Sequence, residues 1–276
     1  MIEPTSEADA RFREWMRDNL TRAAQHFGLK ITGKPRFGWL DRSISAPARR
    51  DDRTYWLRVV SEDPQWTHLD FWTGNRDANA ITGVSKPYVL DVYEWAEWRQ
   101  QRAEIMTRLS GRRCSPTDVL RTSITLPEHW WTELHRTISV ISATPTHRVN
   151  ADQDKVTQRI RERFGGQVDP AVDRWDTVHG DLHWANLMRP EFGLLDWELW
   201  GRGPAGTDAA TLLCYSLLIP DVAERVRTLF ADVLASPTGR IAQLYVVARL
   251  LRRIDGGDFP DLAKPLAQHA RSLLGR

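Results

Sequence analysis

Val178-His179-Gly180-Asp181-Leu182-His183-Trp184-Ala185-Asn186-Leu187-Met188, continued across the turn Arg189 to Gly193 by Leu194-Leu195-Asp196-Trp197-Glu198, decides how this chain is read. The stretch interrupts a half of the sequence that otherwise repeats its apolar residues at helical spacing. Two short apolar pieces around a Pro/Gly turn predict a small hairpin. Such a hairpin would bring Asp181, Asn186 and Asp196 to one edge. Phosphoryl transfer calls for that set: a carboxylate to orient and deprotonate an attacking hydroxyl, and hard oxygen ligands for magnesium. Asp181 offers the first, and the Asn186 amide oxygen and Asp196 carboxylate offer the second.

The spacing from His179 through Asp181 to Asn186 matches the protein kinase catalytic loop, with Gly180 where that loop has arginine. Protein kinases use the arginine to grip a phosphorylated activation loop. Here residues 187–195 are all that separate Asn186 from Asp196, and a tight turn follows Glu198, so no comparable loop needs gripping. His179-Gly180-Asp181-Leu182-His183, Asn186 and Asp196-Trp197-Glu198 closely resemble the signature of the aminoglycoside phosphotransferase and choline kinase-like family. Gly201 to Ala210, with Asp208 opening a helix, is similar to the family's continuation. The resemblance spans Trp175 to Leu218 and is architectural elsewhere.

The resemblance implies an α+β, two-lobed protein kinase-like fold: a small strand-rich N-terminal lobe (residues 1–109) that binds nucleotide and a larger helical lobe (residues 110–276). It implies ATP and Mg2+ as cofactors, and phosphate transfer to a hydroxyl of an aminoglycoside-like antibiotic or an amino alcohol. Asp181 becomes the catalytic base, with Asn186 and Asp196 as metal ligands. Glu198 assists metal or substrate, or bonds the backbone. His179 packs under the loop, and His183 faces substrate or is structural.

Under that reading a strand cation must meet the phosphates, and Arg58 in Trp56-Leu57-Arg58-Val59-Val60 fits; choline kinase-like members resemble this chain in using Arg there. Its acidic partner is Asp70 or Asp77, with Asp77 favoured. Met106 to Leu109, just before Gly111, is the expected adenine-binding linker. Gly38 to Ser45 stands where a glycine-rich phosphate loop belongs, but it holds one glycine.

Working outward, Glu7 to Leu29 reads as a helix, Tyr55–Val60 as the clearest strand, and Trp66 to Ile81 as a short, irregular helix. Tyr88–Trp95 and Arg102–Leu109 read as two more strands. Helices are expected from Pro127, over Asp152–Phe164, and over Thr207–Ile219 before Pro220. The 276 residues carry 38 basic and 36 acidic side chains, a net +2 that argues against a nucleic-acid clamp. No apolar run reaches the roughly 18 residues of a membrane span. The polar, acidic stretch Met1 to Ala10 is no signal peptide. Two distant cysteines, Cys114 and Cys214, point to a reducing cytoplasm, and no obligate protein partner is evident. Thirteen of 26 aromatic residues are Trp, two of them (Trp184, Trp197) in the decisive stretch and Trp200 just beyond it. They imply tight packing or a stacking surface for the acceptor.

Two other readings compete. His179, Asp181 and His183 form a His-x-Asp-x-His triplet that a metal-dependent hydrolase would use. The single-glycine loop instead fits a catalytically silent kinase-like module that binds nucleotide or ligand. Asp255, Asp258 and Asp261 near the C-terminus could meet an acceptor's ammonium groups, or simply form a solvated turn. Residues 177–276 hold 11 acidic and 11 basic side chains, so this half has no cation-seeking bias.

Overall fold

The computed structural model describes residues 6–275, so the first five residues of the stretch Met1–Ala10 lie outside the described residues. The chain divides into two compact units: residues up to Asn79 with Pro87–Leu109, and Ala80–Lys86 with Ser110 onward.

In the first unit, helix α1 (Glu7–His26) begins where the Ser6 hydroxyl accepts from the Asp9 backbone N–H, which satisfies one orphan donor of the first turn. It stops three residues short of the expected Leu29. Short strands β1 (Lys30–Ile31) and β2 (Arg36–Phe37) lead into β3 (Ser43–Arg50) and β4 (Arg53–Glu62). After the one-turn helix α2 (Gly74–Asp77) come β5 (Val89–Ala96) and β6 (Gln100–Thr107). The antiparallel sheet runs β1-β3-β4-β6-β5, with β2 also paired to β3. Strand alternation sorts its faces. Ile44, Ala46, Ala48, Leu57, Val59, Ala103 and Ile105 pack with Met16, Leu20 and Ala23 of α1. The opposite face carries Arg58, which pairs in register with Glu104. Between β4 and β5 the expected irregular helix resolves into short turns, Pro64–Trp66, Asp70–Trp72 and Ala78–Ala80, around α2. No apolar repeat in that stretch is long enough to sustain a helix on its own.

The second unit opens with β7 (Arg112–Arg113), then α3 (Glu128–Ala143) and α4 (Gln153–Phe164). Pro127 precedes α3 as its N-cap, and the Asp152 carboxylate caps α4 by accepting from the Lys155 N–H. Strands β8 (Trp175–Val178), β9 (Leu187–Arg189), β10 (Gly193–Leu194) and β11 (Gly201–Pro204) carry the decisive stretch. β9 and β10 form the expected hairpin, β7 extends it, and β8 pairs with β11. Helices α5 (Thr207–Ser216), α6 (Pro220–Leu229), α7 (Ala231–Leu234), α8 (Pro237–Asp255) and α9 (Ala263–Leu273) complete the unit. α5 is buried along its whole length. Trp130 and Trp131 are core residues, and the Trp130 indole donates to the Met188 carbonyl at 2.8 Å, tying α3 to β9. Among the described residues no helix is long and apolar enough to cross a membrane.

Candidate active site

The loop after β8 turns at Gly180, whose φ is 82°. A Cβ there would meet the Asn150 amide nitrogen at 2.2 Å and the Leu199 carbonyl oxygen at 2.8 Å. Glycine is therefore required twice, by conformation and by space. The loop hangs from Asp208 in the first turn of α5, whose carboxylate accepts the N–H groups of His179 (2.7 Å) and Gly180 (2.9 Å). Burial holds the Asp208 carboxyl above its ordinary range, against the pull of those donors. His179 is fully buried; its Nδ1 accepts from the Asp181 N–H at 3.4 Å, so Nε2 donates to the Leu195 carbonyl at 3.0 Å. Burial keeps this ring neutral, with its pKa lowered.

Three carboxylates act on His183. Its Nε2 lies 3.3 Å from Asp181 Oδ2 and 3.7 Å from Asp118 Oδ1, and Asp196 adds to the same field. Burial alone would lower the pKa of this ring, but the carboxylates outweigh it and raise it. In return, although burial disfavours the Asp181 carboxylate, His183 and Arg249 hold it ionised well below the usual carboxylate range. Arg249 of α8 also donates to the Gly180 carbonyl at 3.2 Å.

Asn186 is buried, and its amide NH2 is directed at the Asp181 carbonyl and His183 Nε2, each at 3.1 Å. The amide oxygen is the end those two contacts do not use. Asp196 is exposed just beyond β10, in a left-handed conformation (φ 63°). The Leu195 N–H donates to the Asn186 carbonyl at 2.8 Å, so the two residues ride on adjoining backbone. A carboxylate and an amide on adjoining backbone offer hard-oxygen donors of the kind that suits a divalent cation retaining several waters. Trp197, next in the chain, lies under the Lys86 ammonium at 5.7 Å; burial pushes the Lys86 pKa down to about 8.

The triplet His179, Asp181, His183 does not converge as a metal site, because the His179 ring is spent on loop backbone. Among the described residues no group of three His, Cys, Asp or Glu side chains is placed to hold a metal. Trp184, Trp197 and Trp200 are all buried, which favours packing over a stacking surface. The C-terminal acids lie in a solvated turn, each with an arginine partner. Asp255 pairs with Arg163 (3.0 Å), Asp258 with Arg253 (3.0 Å) and Asp261 with Arg121 (2.7 Å).

In the first unit, Arg58 lies 3.8 Å from Glu104, which is buried and also accepts from Arg102 (3.1 Å) and Asn75 (3.0 Å). The expected acids, Asp70 and Asp77, stand in the segment after Arg58. There the Asp77 carboxylate accepts the Thr73 hydroxyl at 2.6 Å. The signal for Glu104 was a charged pair, Arg102 and Glu104, at alternate positions and so on one face of β6. Met106 is buried on β6 and pairs with Trp56, and Leu109 is half-buried beyond the strand end. Gly38–Ser45 forms a hairpin tip in which Leu40 (φ 50°) and Asp41 (φ 57°) take left-handed conformations. Arg13 of α1 forks onto the Asp41 carboxylate at 2.6 and 3.0 Å and holds that tip. Asp118 and Arg249 carry no mark in the sequence, because tertiary packing alone brings them to the His183–Asp181 pair; Arg253 reaches Asp118 at 3.3 Å.

No protein-family model matches the sequence, and no curated protein is significantly similar to it. Solved structures are. A thermostable mutant of aminoglycoside phosphotransferase APH(4)-Ia, in ternary complex with AMP-PNP and hygromycin B, superposes with a TM-score of 0.61 at 16% identity, covering 92% of this chain and 97% of that one. Amicoumacin kinase hAmiN, in complex with AMP-PNP, Ca2+ and Ami, gives 0.57 at 13% identity over 98% and 96% of the two chains. Spectinomycin phosphotransferase APH(9)-Ia, with ADP and spectinomycin, gives 0.51 at 8% identity over 94% and 88%. The strand-rich unit, the helical unit and the loop–hairpin between β8 and β11 together give this chain the protein kinase-like fold of the aminoglycoside phosphotransferases.

Proposed function

We propose that the protein is an ATP-dependent phosphotransferase that moves the γ-phosphate onto a hydroxyl of a small molecule, with an aminoglycoside-like antibiotic or an amino alcohol as the first acceptor class. The observation that carries this reading is the convergence of Asp181, Asn186 and Asp196 on one loop and hairpin of a fold shared with small-molecule kinases. Residues 1–109 take the nucleotide: Arg58, steadied by Glu104, faces phosphate, and Met106 and Leu109 meet the base. Residues 110–276 take the acceptor.

Asp181 accepts the hydrogen bond of the acceptor hydroxyl and orients its oxygen. A carboxylate held this firmly ionised is a weak base at equilibrium. It therefore takes the proton late, once the forming O–P bond has made the hydroxyl acidic. Asn186 and Asp196 would hold Mg2+, which when bound neutralises phosphate charge. His183 keeps the Asp181 carboxylate in place, and Glu198 lies within the same turn as Asp196.

The test is label transfer from γ-labelled ATP across aminoglycosides, peptide antibiotics, macrolides and amino alcohols. Asp181→Ala should lower transfer about 10^3-fold or more while nucleotide still binds. Robust transfer by that variant would sink the assignment. Tight nucleotide binding without transfer to any acceptor would favour a silent binding module.

A further inference from the structure

A non-glycine residue keeps a left-handed backbone only where its neighbours fix it, and Asp196 is fixed from both sides. Before it, Leu195 donates its N–H to the Asn186 carbonyl and accepts from His179 Nε2, while the Trp197 indole donates to the Leu194 carbonyl at 3.0 Å. After it, three successive carbonyls are taken by one short segment ahead of α4. Arg148 donates through Nη2 to Glu198 and through Nε to Trp200, each at 3.1 Å. The Asn150 amide donates to Leu199 at 2.8 Å. Arg148 is 9% exposed, and its guanidinium lies 4.8 Å over the Trp200 ring. Backbone bonds lock the segment to β11: the Arg202 N–H donates to Arg148 (2.8 Å) and the Asn150 N–H donates to Arg202 (3.0 Å). The same Asn150 amide abuts Gly180, so the segment touches the loop of Asp181 as well.

We propose that Arg148, seconded by Asn150, is a positioning residue for the Asp196 carboxylate; this rests on Asp196 being a metal ligand, as proposed above. A planar guanidinium spans two carbonyls two residues apart, which a lysine ammonium with one flexible point of donation does not. Where protein kinases place an arginine before the catalytic aspartate, this chain has Gly180. Its arginine comes from residue 148 and grips main-chain carbonyls, so the metal-facing turn is ordered without covalent modification.

The experiment measures Mn2+ binding by electron paramagnetic resonance, with AMP-PNP present, in wild type, Arg148→Met, Arg148→Lys, Asn150→Ala and Asp196→Ala. Nucleotide affinity without metal, thermal midpoints and the Mg2+ dependence of kcat are recorded alongside. Arg148→Met should weaken Mn2+ binding about tenfold and raise the Mg2+ needed for half-maximal kcat, with metal-free nucleotide binding within twofold of wild type. Arg148→Lys should recover part of the loss. Where Arg148→Met does not fold, Asn150→Ala, which removes one of the three carbonyl bonds, should still weaken Mn2+ binding about threefold. A lower thermal midpoint with unchanged Mn2+ affinity would make Arg148 merely structural and overturn the proposal. Unchanged Mn2+ affinity in Asp196→Ala would overturn the metal assignment itself, and the proposal with it.

Discussion

His183 is bracketed by anions, and that gives its titration a definite sign. Its folded pKa is raised by Asp181, Asp118 and Asp196 against the effect of burial. The stability this contributes is present in full below about 6.5, the unfolded value. It is lost as pH rises through the folded value. In metal-free protein, NMR should show the His183 ring titrating above 6.5, and Asp118→Asn should lower its midpoint. An unmoved midpoint would mean Asp118 does not act on the ring. At Gly180, alanine would need both a disfavoured φ and room that Asn150 and Leu199 occupy. Gly180→Ala should therefore cost about 2 kcal/mol or more in urea unfolding. The placement of Asp181, Asn186 and Asp196 on one loop and hairpin was legible because their spacing is local. Asp118, Arg148 and Arg249 were not legible, since nothing in a neighbouring sequence window marks them.

The hairpin of β9 and β10 was legible for a physical reason: two apolar pieces flanking a Pro/Gly turn have few other ways to bury themselves. The strand carrying Arg58 was legible from β-branched and aromatic density. Glu104 was not, because sheet pairing alone brings it from β6 to the register position opposite Arg58. Glu104 collects Arg58, Arg102 and Asn75 in a buried position. Glu104→Leu should then remove a buried counter-charge shared by Arg58 and Arg102 and destabilise the fold by about 3–5 kcal/mol. Glu104→Gln keeps the shape and should cost less. Arg58→Ala should raise the KM for ATP roughly tenfold with a smaller change in kcat. An unchanged KM would remove Arg58 from the phosphate site.

At the scale of the whole molecule, the order of strands first and helices after was legible from the shift in periodicity at about residue 110. The assignment of residues 80–86 to the helical unit was not, because Ser85 joins it through one backbone bond to Leu194. Global stability should fall in mild acid through His269 on α9, whose pKa burial pushes down to about 4. The unfolded chain binds this proton near 6.5 and the folded chain does not, so stability is complete above 6.5 and declines as pH falls toward 4. The total is on the order of 3 kcal/mol. His269→Leu should flatten the urea midpoint over that interval; a midpoint that still falls as steeply would place the acid sensitivity elsewhere.

The arginine-neutralised acids of the C-terminal turn have a consequence for how this chain can change over generations. Asp258 and Asp261 are masked by Arg253 and Arg121, each held by side-chain bonds alone. Single codon changes at either arginine would uncover a carboxylate on a surface already built, without moving any backbone. A library randomised at residues 121 and 253 should therefore vary the charge of this turn in one or two steps, read as a shift in isoelectric point. The latent variation lies in the cations that mask the acids.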